Sequence, residues 1–321
     1  RALSLDGLKN SHPIEQKVDN PAEIGELFDA ISYSKGGSIL RMLEHFIGAE
    51  AFQRGIRQYL TDHSYNNANT HDLWSALDVA SDQPVSRIMD SWIKQTGYPV
   101  LDVRFCRLSE SIEIKVKQQR FLYEDVIGQR NSDETLWQVP VFAITESGYQ
   151  VPHSLMDGRD MLIEVSSGFD VQNDWIKMNP EHTGFYRVNY DRDGWDRLSS
   201  AVEKLELDSS DRLGLQNDAY ALLRAGLMPV SRFLGLVTAY LNETDASVWS
   251  DLSSNMEDLD NLLIGETFQN SFRTFLLNLF QPAGRRMGWE PTGDEGHLDA
   301  LARTTILSSL GKYGDEGVLN E

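Results

Sequence analysis

The chain has 321 residues, 40% of them hydrophobic and 24% charged, with a formal net charge of −20 and a pI near 4.7. That is ordinary globular composition, long enough for about two or three domains with cores of their own. So acidic a surface repels phosphate backbones and anionic lipid heads, which argues against nucleic acid and membrane partners, and no apolar run reaches the ~18 residues of a membrane span.

The opening, Arg1-Ala-Leu-Ser-Leu-Asp-Gly, has no initiator Met and no apolar core of a signal peptide, so a piece of a longer protein is expected. The single cysteine, Cys106, excludes an internal disulfide and a Cys-based zinc knuckle and fits a reducing, cytoplasmic compartment. Residues 1–98 read as helical. Ile24, Leu27, Phe28 and Ile31 form an apolar stripe of helical period; so do Ile39, Met42, Leu43, Phe46 and Ile47, and then Phe52, Ile56, Tyr59 and Leu60. Asn69 or Thr70 can cap a helix through Leu73, Trp74 and Leu77. Pro84 suits the first turn of another through Trp92, which Gly97 and Pro99 end.

From Val100 the period changes to two. Leu101, Val103 and Phe105 alternate with polar residues, as do Ile112, Ile114 and Val116. Segments 136–145, 150–154, 161–165 and 185–190 also read as strands, predicting a small β-sandwich over residues 99–190. After Tyr190 the helical period returns. A helix is expected over 211–225 with Gly226 past its end. Further stripes are Phe233, Leu234, Val237, Tyr240, Leu241; Phe268, Phe272, Phe275, Leu276, Leu279; and Leu298, Leu301, Thr305, Leu310. Residues 281–296, rich in Gly and Pro, read as a loop. Consecutive short amphipathic helices can stack as an α-solenoid, although no clean repeat period is visible. No capping helix is evident before Glu321, which reads as a second truncation.

None of the seven histidines lies in an HExxH pair, the spacing that puts two imidazoles on one zinc. Glu44-His45 comes within one residue of the inverted motif, but Arg41 stands where the other His is needed, so the pair reads as helix surface. Ser32-Tyr33-Ser34-Lys35 matches the S-x-x-K of serine acyl-enzymes without that class's downstream partners. Lys35-Gly36-Gly37-Ser38 resembles the end of a phosphate loop without its leading glycine or strand. Tyr33 has two readings: a ring packed in a core with its hydroxyl tied down, or a donor aimed at a developing oxyanion.

The stretch Ala2-Leu-Ser-Leu-Asp-Gly-Leu-Lys-Asn-Ser-His-Pro-Ile-Glu15, followed by Phe28-Asp-Ala-Ile-Ser-Tyr-Ser-Lys-Gly-Gly37, resembles the region just past the zinc site of gluzincin aminopeptidases, most nearly those of the puromycin-sensitive type. Trp92-Ile-Lys-Gln-Thr-Gly-Tyr-Pro99 is similar to the end of that family's catalytic domain. Gln119-Arg-Phe121, Trp137-Gln-Val-Pro140, Lys177-Met-Asn179 and Gly184-Phe-Tyr-Arg-Val-Asn-Tyr190 resemble its β-sandwich. Asp211-Arg-Leu-Gly, Ala225-Gly226, Gly288-Trp-Glu290 and 298–307 resemble its C-terminal helical domain, all in collinear order.

The resemblance implies a multidomain α+β chain. It would hold the helical end of a thermolysin-like catalytic domain at 1–98, a β-sandwich at 99–190 and the start of a HEAT/armadillo-like solenoid at 191–321. It implies a zinc aminopeptidase acting on peptides. The family's zinc ligands, its general base and its amine-binding loop all precede the position matching Arg1, so no metal ligand is expected here and the missing upstream part of the catalytic domain is the implied partner. Carried onto this chain, the family's oxyanion donor falls on Tyr33, and a residue lining the first side-chain pocket falls on Phe28, which its own stripe places equally well in a core. His12 and Pro13 match a family stretch without an assigned role and read as structural. The rival expectation is a non-catalytic peptide-binding or scaffold module.

Overall fold

The computed structural model describes residues 2–321 apart from 19, 21–23, 26, 124–132, 166–169, 171, 292 and 294. The chain is mixed α and β and divides into two compact units, Arg1–Gly194 and Trp195–Glu321.

The first unit opens on α1 (Ala2–Asp6) and, after a largely irregular stretch, a single π turn at Ile31–Lys35 leads into α2 (Gly36–Ile47). Three more helices follow: α3 (Ala49–Asp62), α4 (Thr70–Ser81) and α5 (Val85–Ile93). Predicted stripe residues on buried faces are Ile39, Met42 and Leu43 of α2, Trp74 and Leu77 of α4, and Val85, Ile88, Met89, Trp92 and Ile93 of α5, whereas in the α3 stripe Phe52, Ile56 and Tyr59 are half-buried and Leu60 is exposed. Each buried side chain contributes about 1.5–3 kcal/mol on leaving water. Asn69 caps α4 in a capping box, its Oδ1 accepting from His71 N and Asp72 N while Asp72 Oδ2 accepts from Asn69 N.

The stripe from Ile24 to Ile31 does not form the expected helix. Ile24, Gly25 and Leu27 lie in short 3₁₀ turns and the chain is irregular at Phe28. The reason is local: Asp29 Oδ1 takes the backbone N–H groups of Ile31 and Ser32, both at 2.9 Å. A side chain bonded in this way starts a new turn and stops an old one.

Among the described residues seven strands follow: β1 (Pro99–Arg107), β2 (Ile112–Arg120), β3 (Val139–Thr145), β4 (Gln150–Met156), β5 (Asp160–Val165), β6 (Ile176–Met178) and β7 (Arg187–Tyr190). They make a four-stranded sheet in the order β5-β2-β1-β7 and a three-stranded sheet in the order β4-β3-β6. Neighbours are antiparallel except β1 and β7, which run parallel with Val100 opposite Arg187. Alternation fixes the register, because a one-residue slip would turn Ile112, Ile114 and Val116 outward. The polar group at the centre is satisfied: buried Gln118 donates to Trp137 O and Gly158 O and accepts from Trp137 N. The three-residue β6 is too short to show a periodicity, and only the resemblance of Lys177-Met-Asn179 to the family's sandwich pointed to it.

Helix α6 (Arg192–Glu203) runs into the second unit, followed by α7 (Ser209–Arg224), α8 (Val230–Thr238), α9 (Ala246–Leu262), α10 (Gln269–Met287), α11 (His297–Tyr313) and α12 (Glu316–Asn320). Two expectations are corrected. Residues 281–287 are helical, not loop, although 292 and 294 of the expected loop lie outside the described residues. An interior proline costs about 3 kcal/mol, but Leu279, Phe280, Ala283 and Gly284 around Pro282 are all buried. Gly284 lets α11 approach, since a Cβ there would stand 2.5 Å from Leu310 Cδ1. In α11 the inward face is Ala302, Arg303, Ile306, Ser309, Leu310 and Tyr313, while Leu298 and Leu301 are exposed. Arg303, on this inward face, bonds Gly288 O and Glu295.

No helix among the described residues is long and apolar enough to cross a membrane.

Candidate functional site

Tyr33 sits in the middle of the π turn Ile31–Lys35, where the Gly36 N–H reaches back to Ile31 O. A π turn widens the helix by one residue and is less favourable than an α turn, so it has to be held by its surroundings. Here both ends are held by side chains from elsewhere in the first unit.

At its start, Asp29 Oδ1 caps the turn through Ile31 N and Ser32 N, and the Asp29 carbonyl accepts from Tyr33 N at 3.1 Å. The other carboxylate oxygen, Oδ2, accepts from His12 Nε2 at 2.6 Å, while His12 Nδ1 lies 2.9 Å from Pro13 O. Each ring nitrogen thus faces an acceptor, and the Gln16 amide Nε2 lies 2.7 Å from Nδ1. Partial burial works to lower the His12 pKa, but the bonds to Pro13 O and Asp29, with the charges of Asp29 and Asp6, outweigh it and raise the pKa above its ordinary value. Asp29 moves the other way: burial works upward, and the Ser32, His12 and Ile31 contacts bring it below the usual carboxylate range.

At the other end, Lys35 turns into the interior. Its side chain and that of Asp6 are both fully buried, with Nζ 2.8 Å from Asp6 Oδ2. Nζ also donates to Gly97 O at 3.0 Å and to Gln95 O at 3.3 Å. Asp6 Oδ1 in turn accepts from Gly97 N at 3.0 Å and Ser11 Oγ at 2.6 Å. Burial pushes the Lys35 pKa down and the charge of Arg120 adds to that; the Asp6 carboxylate opposes both without cancelling them. Gly97 has φ +88°, and a Cβ there would meet Arg120 Nε at 2.8 Å, so the bonds on both sides of this residue depend on glycine.

Held this way, Tyr33 is outside the core: its side chain is 64% exposed and Phe28 is 65% exposed. Both packed-core readings are therefore corrected. The two rings lie 6.0 Å apart, and with Ile24, Leu27 and Ser32 they line an open, mainly apolar pocket of about 290 Å³. Lys35 is engaged with Asp6, Gln95 and Gly97 and faces away from solvent, so it is not disposed to activate Ser32 as an acyl-enzyme base. The same burial removes the phosphate-loop reading. Glu44 and His45 are exposed, as expected of a helix surface, with the His45 ring stacked on His153 at 5.0 Å. Among the described residues no group of three or more His, Cys, Asp or Glu side chains could hold a metal ion.

Sequence reasoning found Tyr33 and Phe28 and read His12 as structural, but it missed Asp6 and Asp29 and the burial of Lys35. One signal was available for Lys35. It falls on the stripe of Ile31, Ile39 and Met42, and a lysine on an apolar face requires a buried partner.

Residues 1–92 match the peptidase family M1 domain, and residues 175–321 match the ERAP1-like C-terminal domain. Aminopeptidase M1-A of Oryza sativa subsp. japonica is 37% identical over 99% of the chain and 36% of that protein. Aminopeptidase M1 of Arabidopsis thaliana is 36% identical over 99% of the chain and 37% of that protein. The puromycin-sensitive aminopeptidase of Caenorhabditis elegans is 31% identical over 99% of the chain and 34% of that protein. The chain thus spans about a third of the length of the curated relatives it matches. Two family domains in order, with collinear identity to aminopeptidases along nearly the whole chain, identify its kinship: it belongs to the M1 aminopeptidase family.

Proposed function

We propose that this chain works as part of a zinc-dependent aminopeptidase that removes N-terminal residues from peptides, with Tyr33 as its oxyanion donor and Phe28 lining the pocket for the first side chain. The observation that carries this reading is an exposed tyrosine on a turn held from both ends, beside an apolar pocket. A hydroxyl pointing out of the core without a packing role is what transition-state stabilisation needs. In peptide hydrolysis a water oxygen adds to the carbonyl carbon, the carbonyl oxygen gains negative charge, and the amine leaves after gaining a proton. Tyr33 would donate its hydroxyl hydrogen bond to that oxygen as the charge develops. The apolar wall of Ile24, Leu27 and Phe28 would take the side chain of the departing residue.

No described cluster can hold a metal, so the zinc would be bound by other residues of a longer protein, where it activates the water and polarises the carbonyl. Within that protein we read residues 1–98 as the helical end of a thermolysin-like catalytic domain. Residues 99–190 would be a β-sandwich built from the two sheets, and 191–321 the start of a HEAT/armadillo-like solenoid. A single cysteine fits a cytoplasmic location. Peptides are the proposed substrates, and the catalytic region that precedes this segment in the relatives is the proposed partner.

The test compares this chain with a version extended upstream, measuring zinc content and release of an N-terminal residue from a chromogenic peptide. Activity with about one zinc only in the extended protein, and a kcat about 10²–10³ lower in its Tyr33→Phe variant, is the expected result. A folded extended protein without zinc or activity would favour the peptide-binding module, and an unchanged kcat in Tyr33→Phe would remove Tyr33 from the chemistry.

A further inference from the structure

We infer that His12 is a positioning residue for Tyr33: its imidazole holds Asp29, and Asp29 sets the turn from which the tyrosine hydroxyl projects. The inference rests on the reading of Tyr33 as oxyanion donor. His12 does not touch the pocket, whose lining is Ile24, Leu27, Phe28, Ser32 and Tyr33, so any influence it has must pass through Asp29.

The connection is short. His12 Nε2 bonds Asp29 Oδ2 at 2.6 Å, Asp29 Oδ1 bonds Ile31 N and Ser32 N at 2.9 Å each, and the Asp29 carbonyl bonds Tyr33 N at 3.1 Å. Asp29 therefore receives three backbone N–H groups at the start of the π turn, and its other carboxylate oxygen is held by one imidazole. A carboxylate can rotate about its last side-chain torsion. With His12 on one oxygen and two backbone N–H groups on the other, that freedom is removed. An oxyanion donor is sensitive to such freedom, because a displacement of about 1 Å at a reacting contact can cost on the order of 100-fold in rate.

The second half of the turn is fixed differently. Lys35 and Asp6 are wholly buried, with Nζ 2.8 Å from Oδ2. His12 and Asp29 are roughly one-third exposed, at 30% and 36%, so their contact exchanges with water and with protons. The charged groups among the described residues that act on His12 are Asp29 and Asp6, both acidic; the Pro13 carbonyl and the Gln16 amide complete its neighbourhood. With only acidic charges around it, the ring holds its proton to a higher pH than a free histidine. The sign follows: the clamp is complete below the ordinary value of 6.5 and is lost as pH rises through the higher folded value. When the ring loses a proton it loses the charge that faces Asp29 and keeps a single donor, which weakens the contact.

The test uses the chain itself for structure and the upstream-extended zinc protein for kinetics. In the chain carrying ¹³C-labelled tyrosine, the Tyr33 ring signal is assigned by its disappearance in Tyr33→Phe and followed from pH 5 to 9. The expected result is a shift with a midpoint above 6.5, absent in His12→Gln, whose side-chain amide can donate to Asp29 but does not titrate. In the extended protein His12→Ala is expected to lower kcat about 10-fold with KM within about two-fold, in the range seen for groups that orient a reacting residue. His12→Gln is expected to restore most of that kcat and to abolish its alkaline decline; circular dichroism of the Gln variant guards against misfolding of the Ala variant. A Tyr33 signal that titrates identically in His12→Gln, or a kcat untouched in His12→Ala, overturns the positioning role while Tyr33→Phe still reports on Tyr33 itself. Full activity in Tyr33→Phe overturns both.

Discussion

Replacing Lys35 by methionine tests whether the far end of the tyrosine turn is held by charge or by packing. Methionine matches the lysine stem in length, so the change removes the ammonium and little volume. It leaves Asp6 buried with a full carboxylate, two hydrogen bonds from Gly97 N and Ser11 Oγ, and no counter-ion. Removing one partner of a buried pair costs about 3–5 kcal/mol. The carbonyls of Gln95 and Gly97 also lose their donor, at about 1 kcal/mol each. A loss of about 4 kcal/mol or more is expected, which in a unit of this size lowers the midpoint of thermal unfolding by roughly 8–16 °C. Asp6→Leu alone should be as severe, because the ammonium is then the unpaired charge. The double variant Lys35→Met/Asp6→Leu should be milder than the sum of the two, with a coupling of about 2 kcal/mol or more, since no charge remains buried. It should still fall short of the parent, because Gly97 N and Ser11 lose their acceptor. Urea unfolding followed by far-ultraviolet circular dichroism gives the free energies, and hydrogen exchange of the α2 amides localises the loss. A Lys35→Met variant within about 1 kcal/mol of the parent, or a double variant at the sum of the singles, would refute the argument that desolvated charge dominates here.

Two further outcomes concern the second unit. Gly284→Leu should destabilise it by about 1–3 kcal/mol through overpacking, because even a Cβ at this position stands 2.5 Å from Leu310 Cδ1; a chemical-denaturation midpoint equal to the parent's would show that α10 and α11 can separate freely. Asp260, whose side chain is 1% exposed against Arg273, has its pKa lowered by the Arg273 hydrogen bonds despite burial. Its stabilising contribution is therefore complete above 3.8 and is lost as pH falls through the folded value, so Asp260→Asn should flatten the acid limb of the stability profile; an unchanged acid limb would contradict this.

What could be read from the sequence divides by physical cause. Faces that bury apolar side chains at a regular period were legible: Ile39-Met42-Leu43, Trp74-Leu77 and the alternation of Ile112, Ile114 and Val116 all point inward. Position misled where apolar residues line an open pocket. Ile24 and Phe28 keep helical spacing yet stay exposed, since spacing records which residues share a side and carries nothing about what covers it. Buried charge was invisible for a related reason. Composition rules place Lys35, Arg212 and Arg303 on the surface, and only partners distant in sequence, at Asp6, Glu243 and Glu295, make their burial tolerable. Tyr33 itself was singled out by resemblance to a family; its spacing alone favoured a packed ring over an oxyanion donor.

The two clamps explain why the pieces of sequence around Tyr33 resemble the family so far from the tyrosine itself. A π turn is unfavourable on its own, and an exposed hydroxyl brings no packing energy to hold it. The stabilisation comes instead from four side chains in other segments: Asp6 in α1, His12 in the stretch after it, and Asp29 and Lys35 flanking the tyrosine. Gly97, sixty-four positions beyond Tyr33 in the numbering, supplies both a donor to Asp6 and an acceptor to Lys35. The motif ending Thr96-Gly97-Tyr98-Pro99 is thus part of the tyrosine's support as well as the boundary between helix and sheet. A side chain used for chemistry contributes little to its own placement, so residues that never touch the reaction are constrained as tightly as the one that does.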